Sequence, residues 1–187
     1  MRSWLIWIPV LLAAGIAGGI KFAHVRQDLA GQREAINEQW NAVSEALDRR
    51  AELVMELAES AKHGSRLHDR IVRDLSTARA ALSSALTPVE KISANARISA
   101  EVAKLLASSE GDPTLRKDEE FQRVQDELGD QDNEVAVARR KYNESLERYN
   151  TSIQMFPDNV VAGVSRFGRI DAYFTTEGGP PIPKGQF

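Results

Sequence analysis

The sequence predicts an all-α chain: an N-terminal transmembrane helix followed by an elongated antiparallel four-helix bundle with coiled-coil-like packing. Three observations carry this expectation. Residues 3–20 contain 18 consecutive positions without a charge; as a helix they span ~27 Å, close to the ~30 Å hydrocarbon core of a bilayer. The middle of the chain is dominated by Ala, Glu, Arg, Leu, Gln and Asp and shows no alternating β-pattern longer than a few residues. Phe121, Leu128, Val135, Tyr142, Tyr149 and Phe156 recur at a spacing of seven, with Val124, Ala138, Leu146 and Ile153 between them. Such a seam belongs to helices packed along their length.

Taken in order, residues 1–23 read as the anchor. Trp4 and Trp7 are placed for one membrane interface and Lys21 can snorkel at the other. The rival is a cleaved secretory signal, with Arg2 as its charged start and Gly15-Ile16-Ala17 as a small-residue site. On the anchor reading the protein is single-pass in the inner (cytoplasmic) membrane, with membrane lipid as a partner. Arg2 on one side against Lys21 and Arg26 on the other gives the positive-inside rule little leverage.

The first bundle helix is expected over residues 21–62. Ile36, Trp40, Val43, Leu47, Val54, Leu57 and Ala61 keep to one face. Gly64 suits a helix end and Ser65 the next cap. The second helix covers residues 66–86, with Leu67, Ile71, Leu75, Ala78 and Leu82 as its stripe. Thr87-Pro88-Val89-Glu90 reads as a capping box with proline at the first helical position. It opens a third helix to residue 108, whose inward stripe is Val89, Ile92, Ala96, Ser99, Ala103 and Leu106. The Glu110-Gly111-Asp112-Pro113 break follows. The fourth helix then runs over residues 118–156 and stops before Pro157. Gln131 falls on its seam, either as a buried polar register device or, the commoner case, as an exposed side chain. Residues 24–163 thus form the bundle, and residues 164–187 a tail that is Pro/Gly-rich after Thr176 and partly disordered or a docking peptide.

Composition removes several classes of function. The 187-residue chain carries 24 Lys and Arg against 27 Asp and Glu, a net charge of −3, which supplies no basic field for nucleic acid. It has no cysteine, so disulfides, thiolate metal sites and cysteine nucleophiles are excluded. The histidines are His24, His63 and His68; the last two stand five apart, outside the i, i+4 spacing of a helix-borne metal pair. No Glu-x-x-His pair of the di-iron type is present. The chain is therefore expected to need no cofactor or metal and not to be an enzyme. The sequons at Asn143 and Asn150 lie mid-helix and carry no message. Tyr142, Tyr149 and Phe156 read as core. Arg49, Arg50, Arg139 and Arg140 are candidates for an interaction edge, because the first and fourth helices must run side by side. The plainer reading of these arginines is solvated surface with pairs such as Glu45 to Arg49.

The residues also resemble a known family. Asn37, Trp40 and Val43, with Leu47, Arg49, Arg50 and Leu53, are similar to the N-x-x-W-x-x-V…L-x-R-R-x-x-L segment of the LemA family. The likeness continues at residues 78–82 and 104–107, in Asp118, Glu119, Phe121, Gln125, Glu127 and Leu128, and most strongly over residues 135–163. Tyr173, Phe174 and Phe187 also look like the family. The resemblance implies a membrane-anchored antiparallel four-helix bundle with a short external amino terminus, hence a cytoplasmic body, and brings no accepted catalytic or cofactor residues. Two departures stand out. Residues 53–57 lack the family's proline, so the first helix is expected to run on. Residues 164–168 loosen its Gly-Phe element, so the contact of an aromatic tail does not follow for this chain. The expected function is a scaffold or adaptor for a membrane or envelope protein partner, with self-association or a regulatory subunit role as alternatives.

Overall fold

A computed structural model describes the backbone of residues 4–61 and 66–174, and the side chains of residues 11–13, 15–61 and 69–174. The fold is all-α. Five α-helices occur among the described residues: α1 Trp4–Ser60, α2 Arg66–Ser84, α3 Pro88–Glu110, α4 Glu119–Ser152 and α5 Asp158–Ser165. A 3₁₀ turn, Leu115–Lys117, precedes α4. His63, the expected Gly64 and Ser65 caps and the tail beyond residue 174 lie outside the described residues, as do the side chains of Trp4, Trp7, Leu67 and His68.

The anchor is corrected. Among the described residues no helix is long and apolar enough to cross a membrane. The physical reason is composition: Gly15, Gly18 and Gly19 dilute the apolar run, and Lys21 starts a charged stretch of the same unbroken 57-residue helix. Lys21 is an exposed side chain on α1. The transmembrane helix, the single-pass inner-membrane placement, the lipid partner and the membrane-anchored part of the family likeness are all overturned by this finding.

The chain divides into two compact units, Met1–Asn37 with Glu144–Ile170 and Glu38–Asn143 with Asp171–Phe187. In the first, Val25 and Leu29 of α1 pack with Val161 and Ala162 of α5, and Ile153 and Phe167 close over them. The Arg33 guanidinium lies 5.9 Å from the centre of the Phe167 ring.

In the second unit the contacts set the helix directions. Trp40 meets Tyr142, the Ala46 carbonyl accepts from Gln131, and Glu56 pairs with Arg123, so α1 and α4 run antiparallel. Ser44 and Asp48 accept from Lys91, and Asn95 accepts from Arg50, so α1 and α3 run parallel. Val43, Leu47, Val54 and Leu57 of α1, Ile71, Leu75 and Leu82 of α2, Ile98 and Leu105 of α3, and Val124 and Leu128 of α4 are buried. Each such side chain contributes ~1.5–3 kcal/mol by leaving water. The Thr87 capping box is complete: the Thr87 hydroxyl accepts from Glu90 N–H, and Glu90 accepts from the Thr87 and Leu86 N–H groups. Those two backbone donors hold the exposed Glu90 carboxyl below its ordinary pKa.

Three sequence expectations change. The buried residues of α3 are Ile92, Ala94, Asn95, Ile98, Val102, Leu105 and Ser109, a face turned from the expected one, whose Val89 and Ala103 are exposed; it carries Asn95 inward to Arg50. Gln131 is buried, and its amide reaches the Ala46 carbonyl. Helix α4 ends at Ser152, where i→i+3 turns at Gln154 and Met155 replace the helical ladder. Phe156 is thereby rotated into solvent at 82% exposure and is not a core residue.

Candidate functional site: an aromatic clamp and an apolar groove

The longest-range contacts of the second unit converge on one face of α1 and α4. Trp40, half-buried on α1, lies 5.4 Å from Tyr142 between ring centres. Phe174, far along the chain, stacks on Trp40 at 6.4 Å and meets Tyr142 edge-on at 6.0 Å. Such offset and T-shaped pairs add ~0.5–1.5 kcal/mol each beyond area burial. The Arg139 guanidinium covers the Phe174 ring at 4.7 Å, a cation–π arrangement. Next to Tyr142, Asn143 Nδ2 donates to the Phe174 carbonyl at 2.7 Å, and Phe174 N–H donates to Asn143 Oδ1 at 3.0 Å.

The first unit repeats the device. Asn150 Nδ2 donates to the Ile170 carbonyl at 2.6 Å, Ile170 N–H donates back to Asn150 Oδ1 at 3.0 Å, and the Tyr149 hydroxyl donates to the Gly168 carbonyl at 2.9 Å. As sequons in mid-helix, both asparagines carry no message. A signal was present: the Tyr-Asn pair recurs at 142–143 and 149–150. Asparagine is also a weak helix former in the middle of a long helix.

The four candidate arginines have different fates. Arg50 is 6% exposed; its guanidinium donates to Asp132 of α4 and to Asn95 of α3 at 3.3 Å. Arg49 is exposed and pairs with Glu45 at 2.5 Å. Arg139 is half-buried over Phe174, and Arg140 is exposed. Burial, and then the repulsion of Arg50, lowers the Arg139 pKa from its ordinary value. Arg50 and Arg139 are therefore brought within electrostatic reach inside the second unit, whereas Arg49 and Arg140 face solvent. On the exposed surface Arg123 joins Glu56, Glu120 and Glu127, a solvated network of small energetic weight.

The family is decided by sequence. A model of the LemA family matches residues 39–187. The chain belongs to the LemA family. No curated protein matches it. The match covers the Trp40, Tyr142, Asn143 and Phe174 clamp, so within this LemA-family chain the aromatic tail contact forms despite the loosened residues 164–168. Among the described residues no group of three or more His, Asp or Glu could hold a metal ion.

The LemA-family chain carries a second concave surface, distinct in its residues. A groove of about 480 Å³ is lined by Ala42, Glu45, Ala46 and Arg49 of α1 and Val137, Ala138 and Lys141 of α4, among others. Val137 is 53% exposed in it.

Tyr142 makes the clamp sensitive to alkali. Burial, with Tyr173 adding to it, pushes its pKa up to about 12. An unfolded tyrosine titrates near ~10, so the folded state favours the neutral phenol. Its contribution is full below about pH 10 and is lost as pH rises through about 12, on the order of 3 kcal/mol in all. Denaturant midpoints measured at about pH 8 and pH 11.5 should fall further for the native chain than for Tyr142→Phe. Equal falls would show that Tyr142 does not carry the alkaline transition. Tyr149, also raised by burial although Arg33 opposes it, is common to both chains in that comparison.

Proposed function

We propose that this LemA-family chain is a non-catalytic helical module that binds a protein partner through the groove between α1 and α4 in its second unit. The observation that carries the reading is the exposed apolar floor: Val137 beside Ala42, Ala46 and Ala138, rimmed by Glu45, Arg49, Glu134 and Lys141. Small side chains on both walls allow a third helix to approach, and rim charges of both signs favour an amphipathic helix carrying both signs. Arg49 of the candidate edge belongs to this rim; Arg140 is a neighbouring exposed charge.

The mixed rim also favours a second reading, two copies of the chain paired through the same groove. A photo-activated cross-linker placed at position 42 or 137 of the full chain tests both, with position 126 as an exposed control on α4. The adaptor reading expects hetero-links at 42 and 137 that are absent at 126 and are lost on Val137→Glu. Self-links alone at these positions would support the paired reading and overturn the adaptor. Equal linking at all three positions would overturn both.

A further inference from the structure

Residues 171–174 lie in the second unit as a ligand lies in its site. One side chain reads the backbone twice, because Asn143 offers a donor to the Phe174 carbonyl and an acceptor to the Phe174 N–H. A planar amide used in this way copies the pairing of an adjacent β-strand, and it is indifferent to which residue supplies the backbone. Residue identity is read at the ring. Phe174 is 5% exposed, with Trp40 and Tyr142 on two sides and the Arg139 guanidinium across it. These contacts require a residue that bears an aromatic ring and presents its backbone N–H and carbonyl to Asn143. None of them requires that residue to belong to the same polypeptide.

The manner in which the segment is held also permits exchange. Residues 171–174 carry no helix or strand, and Asp171 is exposed. Lifting them off therefore melts no element of regular structure, and it uncovers a slot whose backbone-reading amide and ring contacts are already in place. We propose that Trp40, Arg139, Tyr142 and Asn143 form a binding site for an aromatic-bearing peptide segment of a partner protein, with residues 171–174 as its resident occupant in cis. The tether gives the resident a high effective concentration, so a partner must outcompete it or meet a chain in which it is weakened. The site shares no residue with the α1–α4 groove and stands or falls separately from it.

The test uses the full chain with Trp4 and Trp7 changed to Phe, so that Trp40 alone fluoresces. Phe174→Ala weakens the resident. A synthetic peptide of residues 168–176 is then titrated in, beside the same peptide with alanine in place of its phenylalanine. The expected result is a saturable change in Trp40 emission for the Phe174→Ala chain. Apparent binding should be about tenfold or more weaker to the chain that keeps Phe174, and weaker again for the alanine peptide. Adding Asn143→Ala should abolish it. If Phe174→Ala does not fold, Phe174→Leu keeps the apolar bulk and takes its place. No saturable change, or equal binding of the two peptides, overturns the proposal. So does sedimentation showing that the unmodified chain dimerises by exchanging its own segment, since a second copy would then be the occupant.

Discussion

Tyr142→Ala should lower the unfolding free energy by about 3–5 kcal/mol, the usual cost of deleting a buried aromatic side chain. Tyr142 is among the largest fully buried side chains and is packed against both Trp40 and Phe174. Its removal takes away two ring pairs and leaves a cavity between α1, α4 and the tail segment. Tyr142→Phe keeps the ring and should cost about 1 kcal/mol or less. Denaturant unfolding followed by far-ultraviolet circular dichroism separates the two variants. A Tyr142→Ala chain within about 1 kcal/mol of the original would mean that the aromatic cluster is peripheral to stability.

The next largest effect is expected at Asp132. Its carboxylate is 49% exposed, but the guanidinium it pairs with is buried. Asp132→Ala leaves Arg50 buried beside Asn95, which should cost about 2–3 kcal/mol. The double variant Arg50→Met with Asp132→Ala replaces the stranded charge by an apolar chain of similar length and should be no less stable than Asp132→Ala. A full set of denaturant curves, run as a double-mutant cycle, measures the coupling. Additive losses would show that the two side chains do not act as a pair.

Much of the helical architecture is legible without coordinates because its causes are local. The spacing of Val43, Leu47, Val54 and Leu57 is a consequence of 3.6 residues per turn, and these residues are buried in the structure. Thr87, Pro88 and Glu90 stop one helix and start the next through bonds that span three or four residues. The seam of α4 is equally readable from Phe121 to Tyr149, and it fails at Phe156. A seven-residue count cannot register that the helix ladder gives way to turns after Ser152. The opening apolar run illustrates a related limit. Read by its lack of charge alone it is a membrane span, whereas no helix among the described residues is long and apolar enough to cross a membrane.

The candidate sites are less legible, because the polar side chains that position them find their partners far away in sequence. Arg49 and Arg50 are neighbours of the same residue type, yet one is solvated with Glu45 and the other is buried with Asp132 and Asn95. The choice follows from which helix lies opposite, 45 to 82 residues away in sequence. Gln131, Asn143 and Asn150 are similar cases, each accommodated because a backbone group from a distant segment meets its amide.

Residue order alone thus specifies the helical class, the capping box that separates α2 from α3, the apolar faces of α1 and α2, that of α4 as far as Tyr149, and the family. All of these depend on periodicity and on contacts within one or two turns. Only the tertiary structure decided which arginine is interior, how the stripe of α3 is turned, and that Phe174 closes over Trp40 and Tyr142. The physical reason is that a buried polar group is stable only when its hydrogen-bond partner is in place, and here those partners arrive from other helices and from the tail.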